Sequence, residues 1–167
     1  MGQGGQTITD KTILLAEDDP AHAALIREAI RQADSSCKID VVNNGVEVID
    51  YLFATGSRAD RDSSQMPDLI LLDLKMPKMD GLQVLQVLQR VRFTDRTRLP
   101  PVVVFTCSKH EMDLVDAYRL GARSYVRKPM GFSKLVEAVQ QIVGYWLRLN
   151  ESPPMRRHET HEEVTHN

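Results

Sequence analysis

The chain has 167 residues and a formal net charge of −2, with a pI near 6.2. That is enough for one domain with its own core plus tails, and the near-neutral balance excludes a polycation built for nucleic acid or an anionic membrane. Two cysteines, Cys37 and Cys107, are too few for a secreted disulfide scaffold, and no apolar run approaches the roughly 20 residues that cross a bilayer.

Residues 1–10 are rich in Gly and Gln and read as a loose tail. They lack the basic-then-apolar pattern of a signal peptide, and Gln6 stands where N-myristoylation wants Ser or Thr. The expected location is therefore the cytoplasm. "TILLA" (12–16) predicts a buried strand. Asp19 as a cap and Pro20 at a first helical position open a helix running to about 34, with Ala24, Leu25, Ala29 and Ile30 at helical spacing. "KIDVV" (38–42) predicts a second strand, and 46–54 a second helix. Residues 55–67 are polar and marked by Gly, Ser and Pro, which predicts a loop. "DLILLD" (68–73) predicts the third strand, and a helix begins near Gly81. After a charged insertion at 93–99 come a fourth strand (101–106), a fourth helix (109–122) with Gly121 as its stop, a short strand (124–128) and a last helix (133–149).

Strand and helix alternate five times. The central strands are continuous apolar runs, as expected when helices cover both faces. The pattern predicts an α/β fold: a five-stranded parallel sheet, doubly wound and flavodoxin-like, a (βα)5 unit over 11–149. The rest, 150–167, is short, polar and predicted to be disordered, so the expectation is a domain with no output module attached.

In such a sheet, ligands bind at the carboxyl ends of the strands near the switch in strand order. The first strand ends in Glu17-Asp18-Asp19, the third in Asp73, the fourth in Thr106 and the fifth in Lys128. Each residue has an ordinary explanation alone: a turn, a cap, a solvated edge. Their shared placement on one edge argues for a site. Crowded carboxylates repel, and a hard divalent cation with oxygen ligands relieves them. Lys128 adds a compact positive charge and Thr106 a hydroxyl. Together they predict a phosphoryl pocket in which Asp73, alone at the end of a strongly apolar strand, is the nucleophile and an aspartyl phosphate the product.

"ILLAEDD", "DLILLDLKMPKMDG", "VVVFTCS" and "GARSYVRKP", in that order, resemble the receiver domain of two-component response regulators, over about 11–147. The resemblance implies Mg2+ or Mn2+ held by Glu17, Asp18, Asp73 and the backbone carbonyl of Lys75. It makes Asp73 the phosphoacceptor, Thr106 and Lys128 its catalytic partners, and Thr106 with Tyr125 the switch pair. It also implies a cis Lys128–Pro129 peptide, and Lys75 and Ser108 as rate-tuning neighbours of the phosphoryl group. Such a protein takes phosphate from a sensor histidine kinase, catalysing only its own phosphorylation and slow autodephosphorylation. The long loop at 55–67, the insertion at 93–99 and "GYWLRLN" resemble the small regulators paired with phytochrome-type kinases, which implies a homodimer through the last helix and its neighbours.

Apolar residues on that helix, Val136, Val139, Ile142, Val143, Tyr145, Trp146 and Leu149, exceed one core stripe, although Trp146 folded back over its own domain is the plainer use. Neither nucleic acid nor a membrane is an expected partner. His158, His161 and His166 are a metal-binding alternative in the tail. Other functions remain open: a haloacid-dehalogenase-type phosphatase, whose second Asp is replaced here by Lys75; a flavin-binding module, whose phosphate loop is missing; and a receiver that serves only as an unphosphorylated scaffold.

Overall fold

β1 (Thr12–Ala16), β2 (Lys38–Val42), β3 (Leu69–Leu72), β4 (Val102–Thr106) and β5 (Ser124–Arg127) lie parallel in one sheet, in the order β2-β1-β3-β4-β5. The computed structural model describes residues 10–94 and 99–152. Most of the predicted tails, with His158, His161 and His166, and most of the 93–99 insertion lie outside the described residues.

Side chains alternate across a strand, so a strand covered on both faces must be apolar at every position. β3 shows this directly. Leu69 and Leu71 pack with Ile13, Leu15, Val103 and Phe105 on one face, and Ile70 and Leu72 pack with Leu14, Val102 and Val104 on the other. α1 (Pro20–Ala33) and α5 (Phe132–Val143) cover the first face. α2 (Gly45–Phe53), α3 (Gly81–Thr94) and α4 (Glu111–Arg119) cover the second. The edge strands β2 and β5 are only half-buried. Between β1 and β3 the chain reverses its direction of travel across the sheet, which opens a crevice at the carboxyl ends of those two strands.

α1 begins as predicted. Asp19 Oδ1 accepts the amides of Ala21 (2.8 Å) and His22 (3.1 Å), and Pro20 stands first in the helix. Its inner face differs from the prediction: Ala23, Ile26, Ala29 and Ile30 are buried, while Ala24 is exposed and Leu25 is 41% exposed. The start set by the cap places Ala23, Ile26 and Ile30 on one stripe, and Leu25 falls beside it.

The predicted loop 55–67 contains a 3-10 turn, Gly56–Arg58. It is fastened to α2 by the Arg61 guanidinium, which stacks 4.0 Å over the Tyr51 ring and donates to the Tyr51 carbonyl at 2.8 Å. Tyr51 in turn donates its hydroxyl to Asp40 on β2 at 2.6 Å.

The last helix is not uniform. α5 passes into a π-helical turn, Gly144–Leu149, where the amide of Asn150 donates to the Tyr145 carbonyl at 2.6 Å. Within that turn Leu147 is buried, and Arg148 donates to the Ala33 carbonyl at the end of α1 at 2.8 Å. Val139, Ile142 and Val143 are buried, and Trp146 and Val136 pack on the same core cluster. Trp146 therefore does fold back over its own domain. Tyr145 and Leu149 face outward, as do Met112, Val115 and Tyr118 of α4. No helix among the described residues is long and apolar enough to cross a membrane.

Candidate functional site

The strand ladder delivers the predicted residues to one edge. The amide of Asp73 donates to the Ala16 carbonyl at 3.0 Å, and that of Glu17 to the Val42 carbonyl at 3.0 Å, so both acids emerge where β1 and β3 run out. Glu17 is 1% exposed, Asp73 is buried, and Asp18 is exposed at the rim. One carboxylate oxygen from each of the three lies within 4.8 Å of the other two.

Two donors close on Asp73 from β4 and the end of β5. Thr106 Oγ1, fully buried, donates to Asp73 Oδ1 at 2.8 Å. Lys128 Nζ donates to Asp73 Oδ2 at 2.9 Å and also to Glu17 Oε2; its side chain is 4% exposed. Burial pushes the Glu17 carboxyl above its ordinary value, and the Lys128 ammonium pulls only part of that back. For Lys128 burial works downward, but its bonds and charge contacts to Glu17 and Asp73 outweigh it and leave the ammonium held above its usual range. One lysine thus bonds two of three clustered carboxylates. The donor set is all oxygen, closely spaced and net negative, which fits a hard divalent cation such as Mg2+ or Mn2+.

The loop after β3 is folded tightly against the site. Gly81 donates its amide to the Leu74 carbonyl at 3.0 Å, and a Cβ at position 81 would lie 2.5 Å from the Asp73 carbonyl oxygen, so only glycine permits this approach. The Lys75 amide donates to Asp73 Oδ1 at 3.3 Å. Ser108 is buried and donates its amide to Thr106 Oγ1 at 3.3 Å. Tyr125 is half-buried, with its hydroxyl donating to the Ser108 carbonyl at 3.5 Å and its amide to the Tyr118 hydroxyl at 3.2 Å.

The expected cis Lys128–Pro129 peptide is not found: every peptide bond among the described residues is trans. Trans is the intrinsically favoured form of an X-Pro bond by about 0.5–1 kcal/mol. With it the Lys128 amide extends the β4–β5 ladder to the Thr106 carbonyl at 2.8 Å, and the ammonium still reaches both acids.

Two features of the site were not predicted from sequence. Asp113, in the first turn of α4, accepts from Ser108 Oγ at 2.5 Å and pairs with Lys75 Nζ at 3.4 Å. In sequence it reads as an ordinary acid complementing a helix N-terminus. A cleft of about 250 Å3 opens beside Lys128, lined by Leu25 and Ile26 of α1, Met130 of the loop after β5, and Phe132 and Leu135 of α5. The outward turn of Leu25 signals it.

A carboxylate gripped by a hydroxyl and an ammonium, next to acids suited to a divalent cation, is arranged to take up a phosphoryl group. The profile of the response regulator receiver domain matches residues 13–140. The chain belongs to the response-regulator receiver family. It is 39% identical over 143 residues to the probable methanogenesis regulatory protein FilR2 of Methanothrix harundinacea, covering 84% of this chain and 86% of that one. It is 34% identical to the response regulator Rcp1 of Synechocystis, covering 82% and 89%. Among solved structures, the Mn2+-bound form of Rcp1 matches with a TM-score of 0.75 and 31% identity over 86% of this chain and 99% of that one. The phosphorylated cyanobacterial phytochrome response regulator RcpA matches with a TM-score of 0.76 and 34% identity, over 87% and 100%. As a receiver, the protein acts in phosphoacceptor signalling, and its partner is a histidine kinase.

Proposed function

We propose that this receiver accepts a phosphoryl group from its histidine kinase onto Asp73. The observation that carries the reading is the grip on that carboxylate: Thr106 Oγ1 at 2.8 Å on one oxygen and Lys128 Nζ at 2.9 Å on the other. Asp73 attacks phosphorus in line, and the leaving group departs from the opposite side. Lys128 then moves from bridging Glu17 and Asp73 to neutralise phosphoryl oxygens, and the Thr106 hydroxyl turns from the free carboxylate to the phosphoryl group. Glu17, Asp18, Asp73 and the Lys75 carbonyl would hold Mg2+ or Mn2+, which would supply the remaining positive charge.

The hydroxyl of Thr106 is linked through the Ser108 amide to the loop on which the Tyr125 hydroxyl rests. A turn of Thr106 therefore releases or resets Tyr125, and the face formed by α4 and β5 follows as the two-state element. We place signalling there, through altered contacts of Met112, Val115 and Tyr118. A homodimer through α5 and its neighbours, with Tyr145 and Leu149 in the contact, is part of the same reading. The RcpA likeness favours a phytochrome-type kinase, and FilR2 names a different physiology. Phosphotransfer from purified kinases of both kinds distinguishes them.

The deciding experiment incubates the protein with acetyl phosphate and Mg2+ and reads intact mass and size-exclusion elution together. Wild type gains one phosphoryl group per chain and Asp73→Asn gains none. Full labelling of Asp73→Asn would refute the assignment, and an elution volume that corresponds to a monomer before and after labelling would remove the dimer.

A further inference from the structure

The Ser108 hydroxyl and the Lys75 ammonium converge on one oxygen, Oδ2 of Asp113. Each belongs to a residue two positions beyond a site residue, and each amide is bonded into the site, Lys75 to Asp73 and Ser108 to Thr106. Asp113 thus gathers side chains from both loops that border Asp73. Its own side chain is 15% exposed against 66% for Lys75, so the carboxylate is the buried member and the ammonium the exposed one. Ser108 donates no charge. Its bond aims the Asp113 carboxylate, and the ion pair then draws Lys75 toward α4.

We propose that Asp113 is a positioning residue that holds the Lys75 ammonium back from a phosphoryl group on Asp73 and thereby shortens the life of the aspartyl phosphate. This rests on the reading of Asp73 as phosphoacceptor. In hydrolysis a water oxygen attacks phosphorus from the side opposite Asp73. The P–O bond to Asp73 breaks, its electron pair returns to the carboxylate, and both water protons leave with dihydrogen phosphate. The loops that carry Lys75 and Ser108 border the Asp73 carboxylate, so a water approaching phosphorus from the side opposite Asp73 would pass between them. A phosphoryl group offers Lys75 a second anionic partner, and an ammonium folded onto phosphoryl oxygens stands in the path of that water. Asp113 competes for the ammonium and keeps the path open.

The test labels the full chain with acetyl phosphate and Mg2+, removes the donor, and follows loss of the phosphoryl group by intact mass. Asp113→Asn keeps an oxygen for the Ser108 hydroxyl but removes the charge facing Lys75. Its phosphoryl group should decay about three-fold more slowly, the size expected when a half-exposed ion pair is expressed in a rate. Asp113→Glu should restore decay toward wild type. In a Lys75→Met background Asp113→Asn should have no further effect, which a merely structural role would not produce. Lys75→Met alone should decay no more slowly than wild type. Unchanged or faster decay in Asp113→Asn, or an equal effect with and without Lys75, overturns the proposal. Failure of the wild type to label would instead overturn the phosphoacceptor reading, so the two failures are distinct.

Discussion

Cys37 and Cys107 carry the same thiol in opposite settings. Cys37 is buried beneath α1, and burial, reinforced by the negative charge of Asp34 and Asp68, pushes its thiol up to about 11. Cys107 is exposed, directly after Thr106 and on the wall of the cleft beside Lys128. Alkylation proceeds through the thiolate, so at pH 8 Cys37 offers only about one part in a thousand. Iodoacetamide at that pH should modify Cys107 alone, and modification of Cys37 should appear only in denaturant; peptide mapping of both checks this. Similar contrasts decide which site residues were legible in the sequence. Asp73, Thr106 and Lys128 could be read because each ends a strand of distinctive composition, and parallel order brings strand ends together. Asp113 could not, because its contacts cross between two loops and have no period. The trans Lys128–Pro129 bond was also out of reach: the energy gap between isomers is small, and the surrounding contacts decide it.

At the scale of elements, the candidate site depends on strands whose burial fixes their ends. β3 is buried at all four positions, paired with β1 on one side and β4 on the other, and its register sets where Asp73 emerges. Leu71 is fully buried between Leu15 and Val103 in that register, so Leu71→Ala removes packing that the sheet cannot recover by shifting. The expected loss is about 2–5 kcal/mol of unfolding free energy, measured by urea denaturation with an unchanged slope. The strands were legible because continuous apolar runs of four or five residues have few other uses in an alternating chain. Helix faces were less so. α1 carries Ala23, Ala24, Leu25 and Ile26 in a row, and composition alone does not choose which of them turns inward. The π-helical turn at Gly144–Leu149 left little mark in the sequence either, since every residue after Gly144 would sit well in an ordinary helix. What selects it is tertiary: Leu147 enters the core and Arg148 pairs with Asp34 at 3.4 Å while bonding the end of α1.

Over the whole molecule, strand order gathers negative charge at one end of the sheet. A metal that binds only the folded chain stabilises it by mass action, which gives the acidic edge a thermodynamic signature independent of phosphorylation. Glu17 and Asp73 cannot be used to test this cleanly, because Lys128 bonds both and the loss of either takes one of its two partners from a buried charge. Asp18 serves better. It stands exposed at the rim, outside the Lys128 bridge, with an oxygen within 4.8 Å of the other two acids. Asp18→Asn should therefore fold like wild type without added metal, with a melting temperature within a degree or two, as is usual for a surface substitution. Wild type should melt progressively higher as Mg2+ rises, by about 2.7 kcal/mol of added stability once the ion reaches a hundred times its dissociation constant. The substituted protein should show little of that rise, because a ligand oxygen and a negative charge are both gone while the fold is intact. Differential scanning fluorimetry across a Mg2+ series, with NaCl at matched ionic strength as the control, separates site binding from screening. An equal Mg2+ response in both proteins would mean that the ion is held elsewhere and that the convergence of the three carboxylates is not a metal centre.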